Sequence, residues 1–150
     1  MTLEIDIAIN DERWIEAIPD IEIYTHTTIE HVLTNQNIKN SEISIVLSNN
    51  PFIQDLNKTY RNKDKPTNVL SFPQNEPNML GDIIISFETI KQESIEQQKE
   101  MKNHFTHMLV HGCLHLLDYD HECDKDAKIM EALEISILHD LSIKNPYETL

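Results

Sequence analysis

A chain of 150 residues that is 39% hydrophobic and 25% charged has the make-up of one ordinary globular domain, spanning residues 1–150. At this length about 68–70% of the unfolded surface can be buried, so no disulfide staple is required, and Cys113 and Cys123 form neither a framework nor a CxxC pair. A formal net charge of −14 argues against indiscriminate nucleic-acid binding but leaves room for a local basic groove; with no signal-peptide pattern at the N-terminus and no apolar run of membrane-spanning length, a cytoplasmic protein is expected.

Residues 3–9 alternate Leu3, Ile5, Ile7, Ile9 with Glu4, Asp6, Ala8, which predicts a half-buried strand. An irregular stretch with Trp14 and Pro19 follows, and Asp20 or Thr27 opens a helix into the mid-thirties, Thr27 with Glu30 fitting a capping box. After a loop over 35–40, Ile43, Ile45 and Leu47 mark a second strand. Asn50-Pro51 reads as an N-cap and first helical residue, with Phe52, Ile53, Leu56 and Tyr60 on one face and a stop before Pro66. Val69–Phe72 is a short β-prone run ended by Pro73, with 74–78 as a loop. Leu80–Phe87 is a strand whose unbroken Ile83-Ile84-Ile85 implies burial on both faces. Residues 88–117 read as two helices with a break between them. A last amphipathic helix carries Met130, Leu133, Ile137, Leu138 and Leu141 as its stripe. The mixture predicts an α+β fold: a small, partly parallel mixed sheet packed with helices, and a metal site on a central helix and the turn after it.

The metal site is read from His111-Gly-Cys-Leu-His115-Leu-Leu-Asp-Tyr-Asp-His121. On a helix, His111 and His115 stand at i and i+4 on one face, within reach of one ion about 2.0–2.1 Å from each nitrogen. A helix ending near Leu117 or Asp118 lets His121 turn back over the same ion. Three histidines with an open fourth position suit a catalytic zinc, one per chain. His104 and His107 share the face, but His107, His111 and His115 are strung over about 12 Å at 1.5 Å per residue, too long a line for one ion. Those two are read as exposed, groove-lining or supporting residues, exposed above all. Cys123 is a conceivable fourth ligand, and Cys113 a small buried hydrophobe. The spacing matches the H-E-x-x-H helix of zinc peptidases, but Gly112 stands where their glutamate base would be, which disfavours peptide hydrolysis.

The motif His-Gly-x-Leu-His-Leu-x-x-Tyr-Asp-His resembles that of the bacterial YbeY endoribonuclease family. So does the block from Leu56 through Tyr60-Arg61-x-Lys63-Asp64-Lys65-Pro66-Thr67-Asn68 to Pro73, with Leu80-Gly81-Asp82-Ile83 beyond it. The resemblance runs from about residue 40 onward. It implies a single-domain α+β fold and zinc held by His111, His115 and His121. It also implies a single-strand-specific endoribonuclease that matures the 3′ end of small-subunit rRNA and serves ribosome quality control, with RNA and the ribosome as partners. Asp118 departs from the family's usual glycine; a φ > 0 turn would explain that glycine, and Asp tolerates the conformation better than most residues.

Arg61 matches the family's important arginine, and a guanidinium suits the phosphoryl oxygens on which charge develops during RNA cleavage. By position alone it would do no more than complement a helix dipole. With Lys58, Lys63 and Lys65 it places four of the twelve basic residues within eight positions, a spot suited to phosphate contacts or simply to solvent. The general base stays open between the ion's water, the RNA 2′-hydroxyl and other groups, and Asp120 is a carboxylate that could orient a ligand histidine. Ser71 and Asp82 are read as holding their loop and strand in place.

Overall fold

The computed structural model describes residues 3–148. Strand β1 (Leu3–Ile9) leads through a short α1 (Arg13–Ala17) and α2 (Ile21–Asn35) to β2 (Ser41–Ser48). Helix α3 (Asn50–Arg61) precedes a hairpin of β3 (Val69–Glu76) and β4 (Met79–Ser86), and α4 (Phe87–Glu96), α5 (Met101–Leu116) and α6 (Asp124–Asp140) complete the chain. The sheet order is β1-β2-β4-β3, with the first two pairings parallel and the hairpin antiparallel. The fold is α+β with a mixed sheet, as the sequence pattern predicts.

Period-two alternation decides which helix covers which face. Ile43, Ile45, Ile83 and Ile85 point to one side, into a core with α2, α4, α5 and α6. Ile84 and Leu70 point to the other, where they meet Ile53 of α3. Strand β4 lies between β2 and β3, so its three isoleucines are all buried. Helix α5 is the centre of the thick side. Eleven of its side chains or glycine positions are buried, all of His104 to Leu116 except His111 and His115, which is how a helix apolar on nearly all sides must sit.

Several local expectations are corrected. The stretch around Trp14 is a helical turn that inserts the indole: Trp14 is fully buried against Phe87 and Phe105, and its Nε1–H donates to Ser48 O at 2.9 Å. Helix α2 starts after Asp20, leaving Thr27 inside it. The N-cap of α3 is Asn49, whose side chain accepts from Phe52 N; Asn50 is the first helical residue. Pro73 does not end β3, because β3 is an edge strand and a missing N–H costs nothing on its open side. The break between α4 and α5 falls at residues 97–100.

Candidate metal centre

Helix α5 is seated on the hairpin by a glycine. A Cβ on Gly112 would lie 3.1 Å from Ile83 Cγ2 and Ser71 Oγ and 3.2 Å from Val69 Cγ2. Ser71 Oγ donates to Gly112 O at 3.1 Å, so strand and helix backbone are held close at this point. The residue after His111 therefore faces the sheet, and a glutamate base cannot stand there.

The sheet fixes α5, and α5 fixes His111 and His115 one turn apart on its far side. The helix ends in a Schellman turn: Leu117 is the C-cap, Asp118 has φ +71, Asp118 N–H donates to His115 O, and Tyr119 N–H to Leu114 O. Asp118 thus takes the left-handed conformation expected of it. The Tyr119 hydroxyl donates to Gln36 Oε1 at 2.8 Å and ties the turn to the end of α2. The chain then delivers His121 over the other two histidines, its ring 5.5 Å from that of His111 and 5.1 Å from that of His115. One ligand nitrogen from each of the three lies within 4.8 Å of the others.

The hydrogen bonds on the far nitrogens favour metal binding. His111 Nδ1 faces Glu134 Oε2 at 2.9 Å, and His115 Nδ1 faces Tyr119 O at 3.0 Å. Both partners are acceptors, so both Nδ1 atoms carry the proton and both Nε2 atoms present lone pairs. Those Nε2 atoms are 3.1 Å apart. Two ligands of a tetrahedral zinc at about 2.0–2.1 Å stand roughly 3.3 Å apart, so a cation would convert a repulsive contact into two bonds. Burial, followed by the repulsion of His111 and His121, holds His115 below the ordinary imidazole range and keeps it in the neutral, ligating form. The residues fit a metal ion.

His104 and His107 are not exposed. Both are buried, because α4, α6 and the C-terminal segment close over that end of α5. His104 Nε2 lies 2.8 Å from Glu93 Oε1, and His107 Nε2 lies 2.6 Å from Glu134 Oε1. They line a cavity of about 670 Å³ behind the metal histidines, with Lys99, Asn103 and Tyr147. Asp120 does not orient a ligand ring; its carboxylate accepts from the backbone N–H of His121. The carboxylate in that place is Glu134, which the sequence reading passed over, although a glutamate inside the stripe Met130, Leu133, Ile137, Leu138 was its signal. Burial would raise the Glu134 carboxyl, but hydrogen bonds from His107, His111 and Tyr147 outweigh it and bring it down to about 2. Cys123 is exposed and stands outside the histidine cluster; Cys113 is fully buried, and burial pushes its thiol up to about 12.

Arg61 is exposed at the last turn of α3, on the opposite face of the sheet from α5. It makes no ion pair or side-chain hydrogen bond among the described residues. Lys58, Lys63 and Lys65 are exposed beside it. The loop that carries Lys63 and Lys65 is ordered from within: Asn62 takes φ +57, and the buried Asn57 donates from Nδ2 to Lys65 O at 2.9 Å. Among the described residues no helix is long and apolar enough to cross a membrane.

Comparison with known proteins gives the family. Residues 6–142 match the family model described as Endoribonuclease YbeY. A protein named Endoribonuclease YbeY from Colwellia psychrerythraea is 47% identical over 131 residues, covering 84% of each chain. One of the same name from Ehrlichia ruminantium is 45% identical over 148 residues, covering 95% of this chain and 94% of the relative. The solution structure of TM1509 from Thermotoga maritima superposes with a TM-score of 0.61 over 99% of this chain and 97% of that one, at 19% identity, and so shares the fold. This chain belongs to the Endoribonuclease YbeY family.

Proposed function

We propose that the chain, acting as one domain over residues 1–150, is a zinc-dependent endoribonuclease of the cytoplasm. It cuts single-stranded RNA, matures the 3′ end of small-subunit (16S) rRNA and takes part in ribosome quality control, with that rRNA and the ribosome as partners. The observation that carries the reading is the three-histidine cluster with its lone pairs turned inward, in a chain of this family. His111, His115 and His121 hold one zinc ion, which supplies Lewis acidity toward water and phosphoryl oxygen when bound. Two of the three rings are locked by Glu134 and Tyr119 and spend no rotamer freedom on binding. Arg61 grips the phosphoryl oxygens of the RNA as charge builds on them, with the backbone phosphates steered by Lys58, Lys63 and Lys65.

Metal removal tests the reading. The core is built from apolar side chains and the sheet, none of which needs the ion, so chelation should abolish cleavage of an unprocessed small-subunit rRNA 3′ end while far-UV circular dichroism stays native. Restoring zinc should restore cutting. Unfolding on chelation, with no cleavage by any zinc-loaded preparation, would instead point to a binding factor with a structural zinc. Arg61→Ala should lower cleavage by about 10²–10³-fold, the cost of losing one well-placed donor to a developing charge, with zinc content unchanged by mass spectrometry. Loss of zinc in that variant would count against the role given to Arg61.

A further inference from the structure

Glu134 is the least exposed charged group of the described chain, 1% accessible, and no lysine or arginine pairs with it. Its two oxygens are divided. Oε2 accepts from His111 Nδ1, whereas Oε1 accepts from His107 Nε2 and from the Tyr147 hydroxyl. His107 Nε2 and the Tyr147 hydroxyl are themselves 3.3 Å apart, so the three groups close a triangle. Burial acts most strongly on His107 and lowers it below the ordinary imidazole range, against the opposing pull of its hydrogen bond to Glu134. A carboxylate buried this deeply must have its oxygens satisfied by hydrogen bonds, and here the donors are His107, His111 and Tyr147. On the far side of His111 the three histidine nitrogens converge on a place for a dication.

We propose that Glu134 is a positioning residue of the metal centre, holding His111 with its proton on Nδ1 and its bare Nε2 toward the ion, and that Tyr147 and His107 hold Glu134 in that role. The inference rests on the metal reading above. It makes the C-terminal segment, which carries Tyr147 over α6, part of the metal site although it supplies no ligand. A carboxylate behind a ligand imidazole fixes its ring and raises its basicity, and loss of such a partner weakens metal affinity by about 10–100-fold. Gln in this place keeps the shape and one acceptor but removes the charge. Phe at 147 keeps the ring and removes the hydroxyl that pins Oε1.

The test is zinc affinity, measured by competition with a chromophoric chelator, on full-length wild type, Glu134→Gln and Tyr147→Phe. Long-range proton–nitrogen spectra of the imidazoles accompany it. Wild type should bind one zinc with His111 in the Nδ1–H form. Glu134→Gln should bind about 10–100-fold more weakly, with His111 no longer held in one tautomer, and Tyr147→Phe should fall between the two. Wild-type affinity in both variants would overturn the inference and leave the metal centre standing. Failure of the wild type to bind zinc would overturn the metal reading, and this inference with it. Should Glu134→Gln not fold, Tyr147→Phe decides alone, since Tyr147 is 44% exposed and loss of its hydroxyl disturbs no core.

Discussion

Replacement of His115 by alanine is expected to abolish zinc binding and RNA cleavage together, without unfolding the chain. His115 sits in the last turn of α5, partly exposed, so an alanine there opens no core cavity, and alanine is the best helix former. Its imidazole is the ligand most fully set by backbone, through the Tyr119 carbonyl of the Schellman turn. The two remaining histidines belong to different elements, one on α5 and one beyond the turn, and two ligands leave zinc short of a usual set. Zinc per chain, read by mass spectrometry, should fall from one to none. Cleavage of the rRNA precursor should drop at least about a thousandfold, the several kcal/mol a metal ion contributes to such chemistry. Equal cutting by wild type and variant, purified identically, would mean that the activity is not this chain's metal chemistry.

The second large effect is structural. Gly112→Glu would give α5 the H-E-x-x-H sequence of a zinc peptidase, and the outcome should be collapse rather than a new hydrolase. The first side-chain atom alone would press on Ile83, Ser71 and Val69 at 3.1–3.2 Å. Overpacking of this kind costs about 1–3 kcal/mol. Beyond it a carboxylate would enter the apolar interface between α5 and the hairpin with no partner, a penalty of several kcal/mol more. Together these approach the whole stability of a typical domain, about 5–15 kcal/mol. Thermal melting followed by circular dichroism should show the cooperative transition lost or lowered by tens of degrees. A native-like melt would show that α5 can lift from β3, contrary to the close contact at Gly112.

Most of the architecture was readable because it rests on periodicity. The alternation in β1 and β2, the unbroken isoleucines of β4 and the histidine spacing of α5 each follow from where side chains point. The misreadings share a different cause. Trp14 lies in a helix of five residues, too short to show a period. Pro73 reads as a stop unless one knows that its strand lies at an edge. His104 and His107 look like polar surface because the elements that bury them, α4, α6 and the C-terminal segment, reach them only through tertiary packing. Glu134 is the instructive miss. A charged residue inside an apolar stripe must have donors waiting for it, and these came from α5 and from the far end of the chain.

The order in which the metal site's parts occur along the chain has a consequence for biosynthesis. His111 and His115 lie on a helix most of whose neighbours, β3, β4, α2 and α4, have been made before it, with α6 alone of its packed elements still to come. His121, Glu134 and Tyr147 come afterwards. A chain emerging N-terminus first can therefore assemble its sheet and central helix early, while the ion's setting is finished only after Tyr147 has been translated.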